Sequence, residues 1–174
     1  AFVVTSRARA RDLRKPAVQL LGHGYGFSHA YIGDYRTATT TSAVRSGRDA
    51  FAMAGLTPAD IDVAELYAPC TITEVLASEA VGWFERGQGA AAAAAGATAL
   101  GGRIPINPSG GCLSRGHPPI LTALYGLLEL REQLLGVDER AMDGLRTSRL
   151  TVAASAGSER ISRLLAVARS AGIA

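Results

Sequence analysis

At 174 residues, 48% of them apolar, the chain has the length of one domain and ample material for a buried core. A formal charge of +3 is modest and no basic run is interleaved with aromatics, which argues against a nucleic-acid partner; two cysteines far apart without CxxC spacing exclude a disulfide scaffold and point to free thiols in a reducing compartment. No run approaches the roughly 20 apolar residues of a membrane span, and the N-terminus lacks the charged-then-apolar order of a signal peptide, so a cytoplasmic protein is expected.

Residues 1–6, Ala-Phe-Val-Val-Thr-Ser, predict a buried strand, and Pro16 ends any helix that follows it. Arg7, Arg9, Arg11, Arg14 and Lys15 form the one basic cluster, either a solvated helix face or a phosphate contact. Residues 17–22 predict a short strand. The glycine-rich run that follows, from Gly22 to His29, lacks GxGxxG spacing before a helix and makes no dinucleotide claim. His23 and His29 have no third ligand type nearby, so no metal is expected.

Residues 41–54 predict a helix whose small residues Ala43, Gly47, Ala50 and Ala54 share a face and let it lie close on a sheet. Gly55 stops that helix, a turn over 57–60 follows, and alternating apolar and polar residues over 61–66 predict a strand ending at Tyr67. Strand ends are where ligand sites collect in open α/β sheets. Residues 71–81 open with a Thr71-x-x-Glu74 capping box and continue as an amphipathic helix. The run from Ala90 to Ala95 is low in complexity, an insertion, frayed helix or surface loop without chemistry.

The stretch from Asn107 to Pro118 reads Asn-Pro-Ser-Gly-Gly-Cys-Leu-Ser-Arg-Gly-His-Pro. Paired glycines permit positive φ, and a Gly-His-Pro corner before a helix holds an imidazole where that helix begins. Such an imidazole suits proton transfer, although a satisfied histidine in a glycine-rich loop has the same letters. Pro118 and Pro119 then start a leucine-rich helix to Gly136, apolar enough to be central and buried. Residues 149–154 predict a strand that terminates in Ser155-Ala156-Gly157-Ser158, whereas 159–168 has helical spacing.

Asn107 to Pro118 resembles the C-terminal histidine motif of the thiolase superfamily, in the spelling of the sterol carrier protein X and bacterial lipid-transfer-protein branch. Residues 54–62, Glu65-Leu66-Tyr67 and Ser155-Ala156-Gly157 match the same family in order. The resemblance implies an α/β fold, the C-terminal half of a thiolase, with a mixed five-stranded sheet and helices on both faces. It implies a strand rather than a helix over 159–168. It also implies that 1–15 is the last strand and short helix of an N-terminal thiolase half, and that 16–174 is the C-terminal domain.

The resemblance further implies that Tyr67, His117 and Ser155 meet in one pocket as catalytic residues, with Gly110, Gly111 and Gly157 against the substrate. The substrate would be an acyl-CoA, with coenzyme A as part of a thioester and no permanently bound cofactor. His117 would activate a nucleophilic cysteine supplied by the N-terminal half, since Cys70 and Cys112 lie in other motifs. Tyr67 stands where thiolases carry asparagine and the sterol-carrier branch histidine; tyrosine there resembles the retro-aldolases that cleave β-hydroxyacyl-CoA beside a small OB-fold partner. The resemblance implies first an acyltransferase acting on a lipid or sterol-type acyl-CoA, with retro-aldol cleavage and a degenerate acyl-CoA-binding or scaffold subunit as the alternatives, in a protein expected to be a homodimer. Residue by residue, Tyr67 could be a half-buried aromatic, Ser155 a plain turn residue, and Cys70 and Cys112 small core residues.

Overall fold

The computed structural model describes residues 3–14, 17–26, 41–118, 121–135, 150–155 and 163–170; for the last two segments it describes the backbone alone. Strand β1 (Val18–Gly26) is longer than the sequence suggests, because Gly22, Gly24 and Gly26 continue the strand instead of leaving it. Their spacing of two puts all three on one face, where helix α2 (Ala43–Ala54) lies almost in backbone contact. A Cβ at Gly24 would stand 1.8 Å from the Ser46 carbonyl oxygen. The helix answers with its own small face, burying Ala43, Ser46, Gly47 and Ala50 beside Phe51, as the sequence pattern requires.

Four strands form one mixed sheet in the order β1-β4-β3-β2, with β2 at Val63–Leu66, β3 at Leu150–Ser155 and β4 at Arg163–Ser170. β4 runs antiparallel to both β1 and β3, and β3 runs parallel to β2. The last segment is a strand although its spacing suits a helix, because a place between two partners satisfies its backbone groups on both sides. Among the described residues no fifth strand joins this sheet, and beyond β2 lies an isolated parallel bridge, Ala64 to Ile106. Its hydrogen bonds run from Ala64 N to Pro105 O at 3.0 Å and from Asn107 N to Ala64 O at 2.8 Å.

Helices cover both faces. On one, Ala64 and Leu66 join Phe51, Ile61, Val81, Trp83, Ile104 and Ile106 in the main core, with α3 (Thr71–Val81) beside α2. On the other, Val63 packs on Leu130 and Leu127 of α6 (Thr122–Leu135), and Glu65 faces Gly126. All four β2 residues are buried, so the expected polar alternation does not give β2 a solvent face.

Other sequence expectations are corrected. Residues 3–6 form no strand, and Val3 and Val4 are exposed; no strand of the sheet pairs with them, and a lone strand leaves its backbone bonds unmade. The short helix is α1 (Arg7–Ala10), without a buried residue, which places Arg7 and Arg9 on a solvated helix. At α3 the cap position is Cys70 and no side chain caps it, because Glu74 is drawn instead to Asn107 Nδ2 at 2.8 Å. The alanine run is a short helix, α4 (Gly89–Ala94), tied down by Gly89 N donating to Glu79 Oε1 at 2.8 Å.

Helix α6 is not the fully buried rod its leucines suggest. It buries Gly126, Glu129, Leu130, Gln133 and Leu134 and leaves Leu124, Tyr125 and Leu128 exposed, with Leu121 just before it. Its two buried polar residues can turn inward because Gln133 Nε2 donates to Glu129 Oε1 at 3.0 Å and Arg115 lies 3.7 Å from Glu129. No helix among the described residues is long and apolar enough to cross a membrane.

The β1–α2 contact yields a direct check. Gly24→Ala must push a helix backbone away from a strand, a cost of about 2 kcal/mol and a fall in melting temperature of roughly 5 °C. A thermal melt followed by circular dichroism measures it.

Candidate active site

The site forms where β2 ends and the turn after the Ile106 bridge folds back on it. Asn107 is the one non-glycine residue among those described with a left-handed backbone, φ 51°, followed by Gly110 at 84° and Gly111 at 54°. Asparagine tolerates that conformation. Here its side chain also closes the strand end: Oδ1 accepts from Leu66 N at 2.6 Å while Nδ2 donates to Glu74. Burial raises the Glu74 carboxyl pKa, and that bond opposes the rise.

Helix α5 (Gly111–Arg115) leads from this turn to Gly116, whose φ of 87° redirects the chain into His117. The imidazole thus follows one helix and precedes α6 by several residues, because the helical turns of α6 begin only at Thr122. His117 is open to solvent, and its Nε2 lies 2.5 Å from the Tyr67 hydroxyl, the ring centroids 5.2 Å apart and the planes at 47°. Tyr67 itself is half-buried. Burial raises its phenol pKa above the ordinary 10.0, and the thiols of Cys112 and Cys70 push the same way. The phenol is therefore protonated near pH 7, and across this contact it donates to Nε2 or accepts from it according to the tautomer of the ring.

Two residues upstream on the same face lies Glu65, 4% exposed, for which the sequence reading assigned no role. Ser109 donates to it twice, from N to Oε1 at 3.1 Å and from Oγ to Oε2 at 2.8 Å. Arg115 Nη2 reaches Oε2 at 3.3 Å and Ser109 Oγ at 2.7 Å, and its guanidinium lies 6.0 Å over the Tyr125 ring. Desolvation is the largest influence on Glu65 and lifts its pKa to about 7, against the opposing pull of Ser109 and Arg115; Glu129 adds to the rise. The only sequence signal for this network was a lone carboxylate inside an apolar strand.

Tyr67 and His117 are brought together. Ser155 is the last residue of β3, one step past the Leu66–Ala154 pair, so it leaves the sheet at the same end as Tyr67, on a strand about 4.8 Å away. Gly157 lies outside the described residues. The amides of Gly110 and Gly111 are already engaged, with Asn107 O at 2.8 Å and Ser109 Oγ at 3.2 Å, so in this geometry these glycines shape the turn. Cys112 is buried and Cys70 exposed, so only the first is a small core residue. Tyr67, Gly111, Cys112, Arg115 and Gly126 line a cavity of about 20 Å³, on the scale of one water. Among the described residues no three His, Cys, Asp or Glu side chains gather as a metal site; His23 is exposed on β1, and His29 lies outside them.

A mixed sheet with helices on both faces and a Gly-His-Pro turn against its strand ends defines a class, and the comparison with known families agrees. The chain belongs to the thiolase C-terminal domain-like family, which residues 24–167 match. An acetyl-CoA acetyltransferase of Methanothermobacter thermautotrophicus is 42% identical over 146 residues, covering 83% of this chain and 38% of that protein. The 17-hydroxy-3-oxo-4-pregnene-20-carboxyl-CoA lyase of Mycobacterium tuberculosis is 33% identical over 150 residues, again 83% of this chain and 38% of that protein. The solved Ltp2-ChsH2(DUF35) aldolase superposes with a TM-score of 0.80 over 97% of this chain and 43% of that one; at 24% identity it speaks for the fold alone.

Glu65 makes stability depend on pH. Because its pKa is raised from 4.5 to about 7, the folded chain retains a proton that the unfolded chain has released between those values. Stability therefore falls as pH rises through this window, by about 3 kcal/mol from this group once it is fully ionised. Urea unfolding of wild type and Glu65→Gln from pH 4.5 to 8 should show that the downward slope belongs to the wild type.

Proposed function

We propose that this chain supplies the acid–base half of a thiolase-fold enzyme that breaks or makes a carbon–carbon bond beside a coenzyme A thioester. The observation that carries the proposal is the direct hydrogen bond between Tyr67 and His117 at a solvent-open strand end. Within that chemistry it favours retro-aldol cleavage of a β-hydroxyacyl-CoA. The β-hydroxyl gives its proton to the Tyr67 oxygen as the phenol passes its own to His117 Nε2. The Cα–Cβ bond then breaks, its electron pair becoming the thioester enolate while a carbonyl product forms. The imidazolium returns the proton through Tyr67 to the enolate carbon, and the resting pair is restored.

A small cavity next to an open surface fits a site closed by further protein. We propose an N-terminal thiolase half, with an OB-fold partner, for that wall; the aldolase named with ChsH2(DUF35) supports this by its fold. Ser155, at the same sheet end, is proposed as a third catalytic residue, with Gly110, Gly111 and Gly157 on the substrate's approach. The acetyl-CoA acetyltransferase relative and the retained Gly116-His117-Pro118 corner favour a second possibility. In it, His117 takes the proton of a cysteine from the N-terminal half, and the thiolate attacks the thioester.

The two chemistries separate on substrate. The complete protein that carries this chain, given a β-hydroxyacyl-CoA, should release a shorter acyl-CoA, measured by chromatography. Tyr67→Phe should lower kcat by about 100-fold or more with KM changed little. Thiolysis of a β-ketoacyl-CoA by free coenzyme A, with no cleavage of the β-hydroxy substrate, would select acyl transfer instead.

A further inference from the structure

Tyr67 and His117 sit on different arms of the chain, and the second arm has little packing of its own. From Leu113 to His117 every residue is exposed, and at Gly116, with φ 87°, a side chain would meet open space. Packing therefore does not explain why the imidazole stays against the phenol. The buried network does. Glu65 and Tyr67 are two apart on one face of the β2 arm, Arg115 and His117 two apart on the other arm, and the partners of each pair stand 50 residues apart.

We infer that Glu65 is a positioning residue: its buried carboxylate clamps Ser109 and Arg115, at the two ends of the turn and helix that carry His117, and thereby holds the imidazole on Tyr67. The groups that face this carboxylate are Ser109 from the turn, Arg115 from α5, and Glu129 and Gly126 from α6. Arg115 bridges the two carboxylates, 3.3 Å from Glu65 and 3.7 Å from Glu129, so one cation ties β2, α5 and α6 together. Gly126 lets α6 come close enough to roof the clamp, since a Cβ there would stand 3.2 Å from that of Glu65. Without the carboxylate, Arg115, a third exposed, loses its tie to β2 and keeps Ser109, Glu129 and the Tyr125 ring, so the helix end and the residues that follow it are no longer anchored to the strand that carries Tyr67.

This inference rests on the proposed acid–base role of the pair, and the test keeps the two apart. In the complete protein, Glu65→Gln and Ser109→Ala should lower kcat for β-hydroxyacyl-CoA cleavage at least about tenfold while KM stays within about twofold. Crystal structures of both variants should show the Tyr67 hydroxyl and His117 Nε2 beyond hydrogen-bonding distance. Ile104→Val, which loosens the core on the other face, should keep both the contact and kcat. A kcat near wild type in the two clamp variants, or the contact intact in their crystals, would overturn the inference; Ser109→Ala decides alone if Glu65→Gln does not fold. An opened contact in a protein whose wild type cleaves no such substrate would uphold the clamp and reject the function.

Discussion

A strand covered on both faces has no place for a charge that needs water, and β2 carries one at its centre. Ionising a carboxylate there without partners would cost several kcal/mol. The chain meets this constraint twice over, by drawing Ser109 and Arg115 to Glu65 and by letting its pKa rise to about 7. Much of the local architecture serves that carboxylate: the glycine in α6 above it, the polar residues on the inner side of α6, and the serine in the turn below.

The same strand delivers Tyr67 two residues later, where the sheet gives way to solvent. The left-handed turn at Asn107 lets the chain come back to this point, and its side chain satisfies Leu66 N just as the ladder ends. The pairing of phenol and imidazole thus stands on a hydrogen-bonded foundation rather than on apolar packing. The larger apolar cluster lies elsewhere, around Trp83 and Ile104 across the sheet. That separation leaves the imidazole open to solvent while the scaffold beneath it is buried.

Several features were legible in the letters because they depend on local geometry. The small face of α2, the strand over 61–66, the helix over 71–81 and the glycine-histidine turn follow from spacing and from the few conformations open to glycine and proline. The family likeness settled the strand character of β4, which spacing alone would have made a helix. The misreadings share another cause. The Thr71-x-x-Glu74 cap failed because Asn107, distant in sequence, offered Glu74 a better-placed donor. The leucines of α6 were overcounted as core because only one of its two apolar stripes meets a neighbour among the described residues.

From the sequence came the strand end at Tyr67 and the turn bearing His117, since backbone preference and periodicity act over a few residues, and through the family resemblance the class of fold and the expectation that these two residues share a pocket. The hydrogen bond that joins the phenol to the imidazole, the burial of Glu65 and its bonds to Ser109 and Arg115 were decided only in three dimensions. Each joins residues more than forty positions apart, and whether a carboxylate faces water or a guanidinium depends on what folds over it.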